Sequence, residues 1–212
     1  MSPLTRIHDL YIIVLIMETF TTIDIIKIFR EKNISLFTLA DFQRLFDIKN
    51  QNSLYKKIQR LEKNKIIQKL LKGKYFFLLG ATDDYYLANF LYQPSYISLE
   101  SALSFYGIIS GFAYTISSIT IKKTRTFSIA EKEYKYSKIN RDLFWGYEKK
   151  EKFLIAEKEK ALLDYLYFYC KGLKTVDWED LDLKEINKKK LLAYCKRFKN
   201  SKLSEVIKRK IL

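Results

Sequence analysis

The sequence predicts an α+β protein of two domains: a helical domain with a β-hairpin over residues 1 to 80, and a mixed α+β domain over residues 81 to 212 that ends in a helical tail. Three observations predict it. Apolar residues recur at helical spacing three times before residue 64 and then give way to β-prone runs. Pro94, one of only two prolines, punctuates the chain soon afterwards. The charge changes in the same region: residues 1 to 80 carry 14 basic and 7 acidic side chains, residues 81 to 183 carry 14 and 15, and residues 184 to 212 carry 11 and 2. At 212 residues and 48% apolar the chain can build sizeable cores, and 6 Gly with 2 Pro exclude collagen-like or Pro-rich architectures.

The first domain reads in order. Residues 1 to 20 are an extension whose apolar stretch, residues 4 to 17, predicts a helix lying on one of the domains, with Met17 as an alternative start. Thr21 and Thr22 open a helix whose apolar face includes Ile25, Ile28 and Phe29 and which ends near Asn33. Thr38 opens a second helix, with Asp41 three residues on as in a capping arrangement. A third helix runs from Gln51 to Asn64, burying Leu54, Ile58 and Leu61 and turning Gln51, Asn52, Ser53, Tyr55, Lys56, Lys57, Gln59, Arg60 and Lys63 outward. The runs 66–71 and 75–79 then form a hairpin joined at Lys72-Gly73-Lys74.

That order is the order of a winged helix-turn-helix. In such a domain the third helix enters the major groove and the hairpin flanks the duplex as a wing. From Lys49 to Lys74 the chain holds nine cations against the single anion Glu62. Gln51 and Asn52 are the candidates for reading bases, with Ser53 beside them, and Tyr55 for packing on sugar or a thymine methyl. Lys56, Lys57, Arg60, Lys69, Lys72 and Lys74 are candidates for phosphates. A solvated basic helix face is the plainer explanation of any one of these lysines; their coincidence with one helix and its hairpin favours double-stranded DNA as a partner.

In the second domain, 83–92 predicts a short connecting helix and 98–107 a helix with Ser98 as N-cap. Strands are expected at 116–122, 126–130, 134–139 and 153–156, and a helix at 157–170. Within that helix Asp164 stands among apolar residues, so a buried partner is expected, Arg125 or Lys160. The tail 184–212 predicts two amphipathic helices with Lys188 to Lys190, Lys196, Arg197, Lys199 and Lys208 to Lys210 outward. It is either a solvated surface or a docking face for an acidic partner or for phosphate.

Two motif segments of this domain, with a shorter stretch between them, resemble a known family. Pro94-Ser95-Tyr96-Ile97-Ser98-Leu99-Glu100-Ser101-Ala102-Leu103, then Ile119-Thr120 with Arg125 and Phe127, then Ala156-Glu157-Lys158-Glu159-Lys160-Ala161-Leu162-Leu163-Asp164, are similar to successive motifs of the AbiEi-type antitoxins, the regulators of type IV toxin-antitoxin systems. The resemblance covers about residues 21 to 170. It implies a repressing N-terminal winged helix and a C-terminal domain that neutralises a nucleotidyltransferase-like toxin. It also implies a structural or toxin-facing role for Pro94, Ser98, Ser101, Arg125, Glu159, Lys160 and Asp164. Residues 1 to 16 and 171 to 212 carry no motif of the family.

Other chemistries find little support. His8 is the single histidine, so histidine metal clusters and histidine general-base catalysis are not expected. Cys170 and Cys195 fit no metal or redox spacing and suggest a reducing cytoplasm. Asp180-Leu181-Asp182 has the D-x-D form of a magnesium-binding carboxylate pair, but the chain contains no Gly-Ser dipeptide to accompany it, and the acids read as a loop that initiates a helix before Leu183. No phosphate-cradling glycine motif occurs. The apolar run 10–17 is too short to span a membrane and lacks the flanks of a signal peptide. No enzyme, cofactor or metal is expected; the rival readings are a winged-helix regulator whose second domain senses a small molecule, and an enzyme built on Asp180 and Asp182.

Overall fold

The computed structural model describes residues 20–111, 114–129 and 131–211, and the helix expected over residues 4 to 17 lies outside them. The chain divides into two compact units between Thr82 and Asp83. Among the described residues it is a mixed α+β protein with eight α-helices and two sheets.

The first unit starts from two capping boxes. The Thr21 hydroxyl accepts from the Asp24 amide at the start of α1 (Thr22–Glu31), and Asp24 accepts in turn from the Thr21 backbone at 2.9 Å. Thr38 and Asp41 repeat the arrangement at the start of α2 (Leu39–Leu45). Asn50 caps α3 (Gln51–Lys63) by accepting from the Ser53 amide at 3.1 Å. Three short strands, β1 (Leu36–Thr38), β2 (Ile67–Leu71) and β3 (Lys74–Phe77), form an antiparallel sheet in the order β1-β3-β2. The β2–β3 turn is Lys72-Gly73, with Gly73 at φ +72°, where a side chain would be strained. The core is aromatic: Phe29 sits edge-on to Phe37 at 4.9 Å and to Phe77 at 5.2 Å, over Leu54, Ile58 and Leu61 from α3.

The second unit is a six-stranded sheet with helices on both faces. After α4 (Asp84–Leu91) come β4 (Ser95–Ile97), α5 (Leu99–Phe105), β5 (Thr115–Thr120), β6 (Arg125–Ile129), β7 (Lys132–Lys138), a 3₁₀ turn at Arg141–Leu143, β8 (Tyr147–Lys150), β9 (Phe153–Ala156) and α6 (Lys158–Cys170). The strand order is β6-β7-β5-β4-β9-β8, parallel at β5–β7 and β4–β9 and antiparallel elsewhere. Register separates the faces. Tyr96 pairs with Ile119 and Ile119 with Ser137, whereas Ile97 pairs with Ser118 and Ser118 with Tyr136. Tyr96 and Tyr136 therefore point to opposite sides. The Tyr96 hydroxyl reaches α6 and the Tyr136 hydroxyl reaches the Ala88 carbonyl of α4, so each face carries a helix.

Three expectations are corrected. Strands β1, β4 and β8 were not expected from the sequence. The acids Asp180 and Asp182 do not start a helix: the segment after α6 is irregular until Asn187 caps α7 (Lys188–Phe198), and α8 (Ser201–Lys210) follows. The two tail helices have the expected inward residues Leu191, Cys195, Phe198, Leu203 and Ile207, and Lys190, expected to be a free outward cation, is 38% exposed but ion-paired with Glu157 and Glu159.

Candidate nucleic-acid interface and the buried network of the second unit

In the first unit α3 buries Leu54, Ile58 and Leu61 and leaves Gln51, Asn52, Ser53, Tyr55, Lys56 and Arg60 exposed. The spacing i, i+4, i+7 places the core stripe on one side, so these six side chains occupy the opposite face and the first turn. The first turn has no acid. Asn50 caps the Ser53 amide, and the helix N-terminus there carries partial positive charge beside the exposed amide side chains of Gln51 and Asn52. Lys57 differs from the expectation. It is half-buried, with its ammonium 5.9 Å from the ring centre of Phe20.

Lys69 on β2 and Lys72 in the turn are exposed, while Lys74 opens β3 half-buried, paired in register with Thr38 and Leu71. Lys56 and Arg60 thus give α3, and Lys69 and Lys72 the hairpin that follows it in the chain, an exposed cationic surface. Such a surface attracts polyanions by charge, and the polar first turn of α3 adds donors and acceptors that can discriminate.

In the second unit the residues of the two motif segments converge. Lys160 and Asp164, one turn apart on α6, form an ion pair in which both side chains have no exposed surface. Asp164 also accepts from the Tyr96 hydroxyl at 3.0 Å and the Ser98 hydroxyl at 2.9 Å, and Lys160 donates to Tyr96 at 2.9 Å. The rings of Tyr96, Trp145 and Phe198 surround the Lys160 ammonium at 5.2 to 5.3 Å. Burial pushes the Asp164 carboxyl above the ordinary carboxylate range and the Lys160 ammonium below the ordinary lysine range; the attraction between the two opposes both shifts. A sealed pair with this many partners orients three elements and offers no opening to a substrate.

The partner of Asp164 is Lys160, and Arg125 lies elsewhere: exposed on β6, with its guanidinium 5.9 Å and 5.6 Å from the rings of Tyr92 and Phe127. Ser98 precedes α5 but does not cap it, because its hydroxyl is committed to Asp164. Ser101 ties α5 to β5, donating to the Thr115 carbonyl at 3.2 Å and accepting from the Ser117 amide at 2.8 Å. Pro94 precedes β4, and its carbonyl accepts from the Thr120 hydroxyl at 2.7 Å.

Glu159, placed by sequence at a helix N-terminus, has a second role. It accepts from the Asn187 amide at 3.1 Å, and Lys190 lies 3.1 Å from it and 2.7 Å from Glu157. Tyr194 donates to Glu157 at 2.8 Å. Burial raises the Glu157 carboxyl, but the bonds from Lys190 and Tyr194 outweigh it and hold the group below its ordinary value. The basic tail is therefore anchored to the start of α6 through one of its lysines. Sequence reasoning missed this because the partners lie some thirty residues apart.

Asp180 accepts from the amide and hydroxyl of Ser110, and Asp182 accepts from the Lys184 amide at 3.1 Å. The two carboxylates serve separate turns. Among the described residues no group of three or more His, Cys, Asp or Glu side chains could hold a metal ion, and no helix is long and apolar enough to cross a membrane. Comparison with known proteins found no family model that matches this chain and no curated protein that matches it.

Proposed function

We propose that the chain is a DNA-binding transcriptional autorepressor that also serves as the antitoxin of a type IV toxin-antitoxin pair, acting in the cytoplasm without catalysis against a nucleotidyltransferase-like toxin. The observation that carries the DNA half is the surface of the first unit. Helix α3 turns Gln51, Asn52, Tyr55, Lys56 and Arg60 away from its core stripe, and the hairpin that follows presents Lys69 and Lys72. We read this unit as a winged helix-turn-helix with α3 in the major groove and the hairpin as wing. The antitoxin half rests on the resemblance of the second unit, and the convergence of both motif segments on Asp164 supports treating them as one structural device.

The test is binding of the full chain to duplex DNA from its own promoter across a salt series. With about six phosphate contacts the slope of log K against log salt is about −5. Lys56, Arg60 and Lys72 replaced together by Ala weaken binding to every sequence, whereas Gln51→Ala or Asn52→Ala chiefly relaxes preference among sequences. A slope near −1, or binding indifferent to both sets, refutes the docking. For the second half, co-expression with a nucleotidyltransferase-like toxin encoded beside it must restore growth; no rescue refutes the antitoxin reading.

A further inference from the structure

The second unit contains a cleft of about 340 Å³ outside the buried network. It is lined by Asn89 from α4, Ser95 from β4, Phe144 and Tyr147 from the approach to β8, Lys152 from the β8–β9 turn and Leu154 from β9. Its polar chemistry is unbalanced. The Asn89 carbonyl oxygen accepts from the Leu154 amide, which fixes the side-chain orientation and leaves its NH₂ as a donor without an acceptor. The Ser95 hydroxyl, on a side chain 3% exposed, has no partner either. Buried donors are almost always satisfied, and each orphan is costly. Elsewhere in this unit the buried hydroxyls of Ser98, Ser101 and Thr120 are bonded, while Ser118 Oγ, Trp145 Nε1 and Glu100 Oε2 are also without a partner, none of them in the lining of this cleft. Two orphans lining one cleft point to a group that completes them.

The rest of the lining specifies that group. Phe144 and Tyr147 form an aromatic wall, their ring centres 5.3 Å apart, with Tyr147 stacked on Tyr96 at 4.8 Å. Lys152 stands exposed beside the cleft with no acidic partner among the described residues. An apolar wall, a fixed amide donor, a hydroxyl and a cation are the elements of a small-ligand site. We infer that this cleft binds a planar aromatic carboxylate of one or two rings bearing a hydrogen-bonding substituent, its ring on Phe144 and Tyr147, its substituent on Asn89 and Ser95, and its carboxylate on Lys152. A nucleoside phosphate is the poorer match, since it adds a sugar for which the lining offers no further buried polar group. The inference is independent of the DNA and toxin readings.

The probe is 6-hydroxy-2-naphthoate, titrated calorimetrically into the full-length protein, with 2,6-dihydroxynaphthalene as its uncharged counterpart. The expected result is saturable one-to-one binding of the acid. Lys152→Met weakens the acid about tenfold and leaves the diol unchanged, as loss of one charge-assisted contact requires. Ser95→Ala weakens both probes several-fold, yet its urea midpoint equals or exceeds that of the wild type, because the hydroxyl has no native bond to lose. No saturable binding of the acid up to 5 mM overturns the proposal. So does binding that neither variant changes, which would place the probe elsewhere; a Ser95→Ala variant with a lowered urea midpoint would give the hydroxyl a structural bond and overturn its role here.

Discussion

Removing the carboxylate of Asp164 tests the buried network most directly. In Asp164→Ala three donors lose their acceptor at once: the Lys160 ammonium, the Tyr96 hydroxyl and the Ser98 hydroxyl. The hydroxyls can turn, but Lys160 cannot reach water, since its side chain has no exposed surface. Removing one partner of a buried pair costs about 3 to 5 kcal/mol, because the other charge is left uncompensated. With a urea dependence of about 2 kcal/mol per molar for a unit of this size, the unfolding midpoint falls by about 2 M. The assay is tryptophan fluorescence against urea, and it reports the second unit alone because both tryptophans, Trp145 and Trp178, belong to it. The double change Lys160→Met with Asp164→Leu removes both charges and recovers most of the loss, since an apolar pair of similar volume needs no compensation. A midpoint shift below about 0.5 M for Asp164→Ala refutes the argument, and so does a double variant no better than the single one.

Two further changes probe the local chemistry. Gly146 has φ +70°, and a Cβ there would lie 3.0 Å from Lys160 Cγ and 3.2 Å from Lys160 Cβ, whereas at Gly172, also at φ +70°, it would meet nothing within 4 Å. Both Gly→Ala changes carry the backbone cost of roughly 1 to 2 kcal/mol, so the excess loss of urea stability in Gly146→Ala over Gly172→Ala measures the contact with Lys160; equal losses refute it. In the first unit, side-chain bonds from Thr21 and Thr38 hold the Asp24 and Asp41 carboxyls below their ordinary value. A group whose folded pKa is depressed stabilises the fold above its unfolded pKa of about 3.9 and ceases to do so as the pH falls through its folded pKa. The amide protection factors of α1 and α2, which remove the intrinsic pH dependence of exchange, therefore fall on acidification below about pH 4. Thr38→Ala costs about 1 kcal/mol and flattens that acid dependence in α2; unchanged exchange in the variant refutes the capping role.

How much of this was legible depended on whether the determining contacts were local. Helices α1, α2 and α3 were readable because caps and core stripes repeat within a few residues, as in Thr38 with Asp41 or Leu54 with Ile58 and Leu61. That Asp164 has a partner was readable because a lone acid in an apolar helix demands one, but the choice of Lys160 over Arg125 was not, since both were open in the sequence. Strand β4 was missed because Ser95–Ile97 is three residues long and confined between Pro94 and the turn into α5. Strand β8, Tyr-Glu-Lys-Lys, has no apolar alternation because it lies at the sheet edge. The anchoring of Lys190 and the cleft beside Asn89 depend on residues brought together by topology, for which no local pattern exists.

Burial also decides which residues can carry recognition. Ser98, Ser101, Lys160 and Asp164 have no exposed surface, and Glu159 is 4% exposed. A partner docking on the folded second unit cannot touch the first four. If the proposed kinship with the antitoxin family holds, it is a kinship of scaffold, expressed in the side chains that hold α5, α6 and β4 together. Specificity for a partner has to come from side chains outside those motifs or at their exposed margins. The exposed cations of the tail are such side chains: with Lys190 neutralised by Glu157 and Glu159, the tail is fixed in place while Lys188, Lys189, Lys196, Lys199 and Lys202 remain at the surface. An acidic partner would meet these lysines already positioned by a folded helix pair, so less side-chain and backbone freedom is lost on binding than a disordered basic tail would lose.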